Sequence, residues 1–156
     1  MEQPPLLILD DVAAYHQHYK KNYCRSVIQT SDGIRVYFSD SVFGHAFYKN
    51  SDNRNGPKNE FCRVRAERMD WIKVTLESEN ATLYQGWNKH QKKYEEHRRV
   101  SVLLGDFIVV IELTMNNKGE LKGKFVTCYV ADKSILKVRQ SPLWNKEACI
   151  EKLRKK

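Results

Sequence analysis

Among the 156 residues, the side chains best suited to proton transfer near neutral pH are the five histidines. His45 stands apart because a polar, basic stretch follows it. There it would serve as an acid–base group, the alternative being an imidazole held by a backbone partner. Arg65 carries the planar guanidinium fork that matches two phosphate oxygens. Arg68 could play the same part, leaving the other of the pair solvated. In Phe125-Val126-Thr127-Cys128-Tyr129-Val130, strict alternation places Phe125, Thr127 and Tyr129 on one strand face. A hydroxyl and a phenol then stand side by side, ready to hydrogen-bond a ligand. Val126, Cys128 and Val130 take the other face. Glu112 is the carboxylate at the centre of the strand region. Its neighbours Ile108 and Val110 favour pairing with an arginine over general-base work.

Metal and cofactor chemistry find little footing. Cys24, Cys62, Cys128 and Cys149 form no C-x-x-C pair, the spacing that structural zinc usually needs. His16 and His18 sit two apart on a helix and so point to different sides. No metal and no cofactor are expected. The start, Met1-Glu2-Gln3-Pro4-Pro5, lacks the positive region of a secretory signal. No apolar run approaches the roughly 18 residues of a membrane span. The expectation is a cytoplasmic protein with reduced thiols and no membrane contact.

The charge balance points to an anionic partner. Lys and Arg number 27 against 19 Asp and Glu, a formal charge of +8. Three basic stretches carry the excess. Lys49, Arg54, Lys58, Arg63, Arg65 and Arg68 form the first; Lys89, Lys92, Lys93, Arg98 and Arg99 the second. The third is Lys118, Lys122, Lys124, Lys133, Lys137 and Arg139. Phe47, Tyr48, Trp87, Tyr94, Tyr129 and Trp144 are interleaved, and bases stack on such rings while cations hold phosphates.

The elements that position these residues follow from pattern. Residues 10–23 read as a helix capped by Asp10 or Asp11, with Tyr15 and Tyr19 on one face. Asp32-Gly33 between two β-rich runs reads as a hairpin. Ser41 caps a short helix carrying His45, and residues 49–60 read as a loop. Residues 63–78 form a helix with Met69, Ile72 and Leu76 on its buried stripe. Strands follow at 81–87, 99–104, 107–115 and 121–131, joined by short antiparallel connections. Residues 145–154 read as a helix with Ala148, Ile150 and Leu153 inward. The sum is one α+β domain over 1–156. N-terminal helices pack on an antiparallel sheet of four or more strands, one face of which stays available to a ligand. Its core spans about 41–144, with a helix and hairpin at 10–39 before it.

The series His45-Ala46-Phe47-Tyr48, Arg65-Ala66-Glu67-Arg68-Met69-Asp70-Trp71-Ile72, Leu83-Tyr84, Phe125 to Tyr129, and Ile135 to Pro142 carries a resemblance. It resembles the phage-associated nuclease domains of the barnase–EndoU–colicin–RelE superfamily. The resemblance implies that fold and a metal-independent ribonuclease, active as a toxin or effector on tRNA or mRNA. It implies catalytic roles for His45, Arg65, Thr127 and Tyr129. It implies RNA contacts for Arg68, Tyr84, Lys124, Lys137 and Arg139, with Tyr84 either flanking the site or in the core. An acidic inhibitor protein would be the natural partner. In RNA the 2′-hydroxyl is a nucleophile beside the scissile phosphate, so the protein needs only a base, an acid and cations. A second histidine would have to be His90 or His97, both in a loop. Two other readings use the same charge: a non-catalytic RNA-binding module, and a basic protein-interaction module of a phage or virulence system.

Overall fold

The computed structural model describes residues 3–50, 58–88, 90–132 and 134–154. Helix α1, Val12–Tyr19, begins where the Asp11 carboxylate accepts from the Ala14 amide at 2.8 Å. Its Tyr15 and Tyr19 are fully buried. The chain then widens into a π-helical turn, Lys20–Cys24, which buries Tyr23 as well. The hairpin forms as the Asp-Gly signal requires, with Gly33 at φ +89°. Its strands are short: β1 is Ile28–Gln29 and β2 is Arg35–Tyr37.

A 3-10 turn, Asp40–Val42, leads into the single-turn helix α2, Phe43–Ala46. Of the expected loop at 49–60, residues 51–57 lie outside the described residues. Strands β3, Tyr48–Asn50, and β4, Lys58–Phe61, pair at its two ends. The expected helix at 63–78 is broken at Arg68 into α3, Arg63–Glu67, and α4, Met69–Glu77. Met69, Ile72 and Leu76 are buried as the stripe predicts.

Strands β5, Thr82–Asn88, β6, Lys93–Leu104, β7, Phe107–Met115, and β8, Leu121–Val130, form an antiparallel meander. The sheet has six strands in the order β1-β2-β8-β7-β6-β5, and β2 runs parallel to β8. It is therefore mixed, not purely antiparallel. The early hairpin docks on β8 across more than 80 residues of chain, a long-range choice that no local pattern encodes. Two short helices close the chain. These are α5, Ile135–Arg139, in the expected link, and α6, Lys146–Arg154, with Cys149 its most buried residue.

The main core lies between the helices and one sheet face. Tyr19, Phe38, Phe43, Phe47 and Phe125 meet there, Phe38 and Phe125 with ring centroids 4.9 Å apart. Buried phenols need partners. Tyr15, Tyr19 and Tyr23 donate to the carbonyls of Leu7, Ser39 and Met69 at 2.8, 2.8 and 2.7 Å. His16 and His18 do diverge as their spacing requires: one meets Asp40 at 2.6 Å, the other Asp70 at 2.8 Å. Each ties α1 to a different element. The four cysteines are free thiols. Among the described residues no helix is long and apolar enough to cross a membrane.

Candidate nucleic-acid interface

The sheet face away from the main core is assembled by strand register. One row crosses four strands: Arg99 on β6, Glu112 on β7, Lys124 on β8 and Tyr37 on β2. The next row holds Thr114, Lys122 and Arg35. In the other direction lie Tyr84, Ser101, Val110 and Thr127, then Leu103, Ile108 and Tyr129. Neighbouring strands stand about 4.8 Å apart, so side chains within a row touch or nearly touch.

A bulge in β8 decides which residues share this face. Val110 pairs with Thr127, but Ile111 pairs with Phe125, so Val126 is an extra residue. Phe125 therefore turns into the main core and is fully buried. Strict alternation had grouped it with Thr127 and Tyr129; the bulge separates it from them. Thr127 and Tyr129 remain together, and Cys128 faces the helices. Burial pushes the Cys128 thiol up to about 12, against a smaller opposing pull from Arg65. It stays protonated and is no nucleophile.

The face is only partly open. Ile135 and Val138 of α5 pack with Tyr84, Leu103, Ile108 and Tyr129 into a second, smaller apolar cluster. Tyr84 is buried there, on the core side of the two alternatives. Lys137 and Arg139 are exposed on that same short helix. Burial raises the Tyr129 phenol above its ordinary value, with Arg65 opposing. The phenol is thus held as a hydrogen-bond donor throughout the neutral range. The Thr127 Oγ1 is buried without a hydrogen-bond partner among the described residues. Such a group is costly unless something else uses it.

Strand β2 covers β8 only as far as Lys124, so the upper edge of β8 is left to α2 and α3, which both pack on it. Arg65 joins those helices. Its Nη1 donates to the Ala46 and Tyr48 carbonyls at 3.2 and 3.4 Å. The first closes the C-terminal end of α2, where a cation suits the unpaired carbonyls. His45, exposed on α2, precedes that carbonyl directly. Arg65 thereby comes within electrostatic reach of Cys128 and Tyr129, more than 60 positions along the chain, while His45 lies on the helix that Arg65 ties to this end of β8.

Arg68 is engaged elsewhere. It donates to the Val64 carbonyl at 2.9 Å and lies over the Trp71 ring, 5.0 Å from its centroid. His97 is not in a loop. It lies on β6, inside a long irregularity between Glu95 and Val100, and contacts Glu95 at 3.5 Å. With Lys93, Arg98 and Glu112 it lines a cleft of ≈ 630 Å³. His90 is exposed in the preceding turn. Glu112 pairs with Arg99 at 3.4 Å, the pairing its apolar neighbours favour. Arg54, Lys89 and Lys133 lie outside the described residues. Arg35 and Tyr37 were missed in the sequence, although they alternate there with the apolar Ile34, Val36 and Phe38.

Among the described residues no three His, Cys, Asp or Glu side chains gather closely enough to hold a metal ion. Comparison of the chain with family models, with curated proteins and with solved structures finds no match.

Proposed function

We propose that the protein is an endoribonuclease that cleaves RNA by attack of the 2′-hydroxyl on the adjacent phosphate, without a metal. The observation that carries this reading is the Arg65 bridge. Its guanidinium ties α2 to α3 beside the edge of β8. The guanidinium is also close enough to Tyr129 to oppose the rise of its phenol, and His45 stands on the helix that the bridge fixes. In the reaction His45 accepts the 2′-hydroxyl proton as O2′ bonds to phosphorus. The bond from phosphorus to the 5′-oxygen then breaks, and that oxygen takes up, through solvent, the proton that His45 had accepted. The products are a 2′,3′-cyclic phosphate and a 5′-hydroxyl. Arg65 balances the charge gathering on the phosphorane. Tyr129 donates to its oxygens, joined by the Thr127 hydroxyl once RNA binding uncovers it. Lys124, Lys137 and Arg139 hold flanking phosphates. A toxin or effector role, with an acidic protein covering the basic face, fits the same charge.

One observation favours a second reading within the same chemistry. Glu112 and His97 line one cleft with Arg98, and Glu112 already meets Arg99. There the carboxylate would be the base and the imidazole the acid. The test is cleavage of a defined single-stranded RNA in excess EDTA by wild-type, His45→Ala and Glu112→Gln proteins. Loss of at least tenfold in His45→Ala alone supports the first reading. Loss in Glu112→Gln alone supports the second. Intact RNA with all three proteins would favour a binding module without catalysis.

A further inference from the structure

At the opposite end of the same face, β2 and β8 build a second arrangement, of which the reaction uses only Lys124. Arg35 and Tyr37 alternate outward on β2, opposite Lys122 and Lys124 on β8. The Arg35 guanidinium lies over the Tyr37 ring, 4.8 Å from its centroid. That contact covers part of the ring, yet Tyr37 is still 47% exposed. The Arg35 Nε is buried and has no hydrogen-bond partner among the described residues. Two clefts meet here, sharing Tyr37 and Lys122. One, of ≈ 300 Å³, runs toward Glu112, Thr114 and Lys124. The other, of ≈ 450 Å³, is lined by Arg35, Asn116, Glu120 and Lys146. Two of its groups are already engaged. Lys146 donates to the Asp32 carbonyl at 2.7 Å, and Glu120 accepts from Asn116 at 3.3 Å. Arg35, Lys122 and Lys146 still outnumber Glu120 by two charges.

We infer that Tyr37, Arg35 and Lys122 form a subsite for one unpaired nucleotide of single-stranded RNA, its base stacked on Tyr37 and its phosphates on Lys122 and Lys124. An exposed aromatic ring stiffened by a guanidinium is a stacking platform. A ring of this kind can read only a base that has left its helix, so the subsite selects single strands over duplex. Lysines one pleat apart on β8 stand about 6–7 Å from each other, close to the spacing of successive phosphates along a strand. The track Lys122, Lys124, Thr127, Tyr129 then leads from this subsite to the end of β8 where His45 and Arg65 lie. The inference rests on the ribonuclease reading for its purpose but not for its test.

The test uses a fluorescein-labelled eight-nucleotide 2′-O-methyl RNA, which has no free 2′-hydroxyl to attack, and follows anisotropy. Tyr37→Ala is expected to weaken binding of the single strand about tenfold, or about 1.4 kcal/mol. Tyr37→Phe keeps the ring and stays within about twofold of wild type. Lys122→Gln lowers the slope of log affinity against log salt by about 0.7. The same oligonucleotide annealed to its complement loses less than twofold with Tyr37→Ala. Unchanged single-strand affinity in Tyr37→Ala, with the fold verified by thermal melting, overturns the subsite. So does an equal loss for single strand and duplex. Binding that depends on Tyr37, in a protein that never cleaves natural RNA, would leave the subsite standing and remove the ribonuclease reading.

Discussion

Thr127→Val exchanges a hydroxyl for a methyl group of nearly the same shape. In most buried settings this loses a hydrogen bond and destabilises. Here the Oγ1 is buried and has no partner among the described residues. A buried polar atom without a partner costs about 1–3 kcal/mol. Thr127 as a whole is half-buried, which places the expected gain near the lower end, at about 1 kcal/mol. For a chain of this length that is a rise of about 2–4 °C in Tm. The same change removes a donor to the phosphate. Hydrogen bonds to charged groups contribute about 1.5–3 kcal/mol, so cleavage should fall about 10- to 100-fold. The assay pairs a urea melt with RNA cleavage on the same preparation. Thr127→Ser keeps the hydroxyl and should hold the rate within a few-fold while losing a little stability. A Val variant less stable than wild type would refute the reasoning, because the hydroxyl must then have a partner. A more stable variant with full activity would remove Thr127 from the reaction.

Other expectations follow from the same geometry. Arg65→Ala strips the Ala46 and Tyr48 carbonyls of their donor; stability should fall by about 1–2 kcal/mol and cleavage by at least tenfold. Arg65→Lys restores charge without the fork, and single-turnover kinetics should show little recovery of rate. Gly86→Ala would place a Cβ 2.6 Å from the Arg99 Cβ and 2.8 Å from its carbonyl oxygen, costing about 1–3 kcal/mol in a denaturant titration. Gly44→Ala, in α2 with nothing within 4 Å of the new Cβ, should instead stabilise by about 0.5–1 kcal/mol. At alkaline pH the buried acids set the sign. Burial raises Cys128 from 9.0 to about 12 and raises Tyr19 and Tyr23 as well. The unfolded chain therefore gives up these protons first. Stability is complete below pH 9 and falls as pH rises toward 12. Cys128→Ala should flatten that fall by about 1.4 kcal/mol per pH unit, read from urea midpoints between pH 9 and 11.

The local signals in the chain were strong enough to mark most elements. The meander from β5 to β8, the Asp-Gly hairpin and the Met69–Ile72–Leu76 stripe are all written in neighbouring residues. What was hidden depends on distant contacts or on single-residue irregularities. The parallel docking of β2 on β8 joins Arg35 to Lys122, and nothing near either residue specifies it. The extra residue Val126 reverses the facing of everything before it relative to Thr127, and a period-two pattern cannot show an insertion of one. The break at Arg68 hides inside a good helical pattern because each half alone satisfies it. At the candidate site, Arg65, Thr127 and Tyr129 are identifiable by type and alternation. That Arg65 also serves as the tie between α2 and α3 is visible only in three dimensions. Glu112 shows the opposite case, since its apolar strand neighbours already pointed to pairing with an arginine, which the structure identifies as Arg99.

The measurement closest to the central claim is the chemistry of the cleaved ends. A single-stranded RNA carrying one 2′-deoxynucleotide on the 5′ side of the scissile phosphate is compared with its all-ribose parent in excess EDTA. Products are identified by mass. The account predicts a 2′,3′-cyclic phosphate and a 5′-hydroxyl from the parent, and no cleavage at the deoxy position. Cleavage at that position, or a 5′-phosphate on the product, would contradict attack by the 2′-hydroxyl.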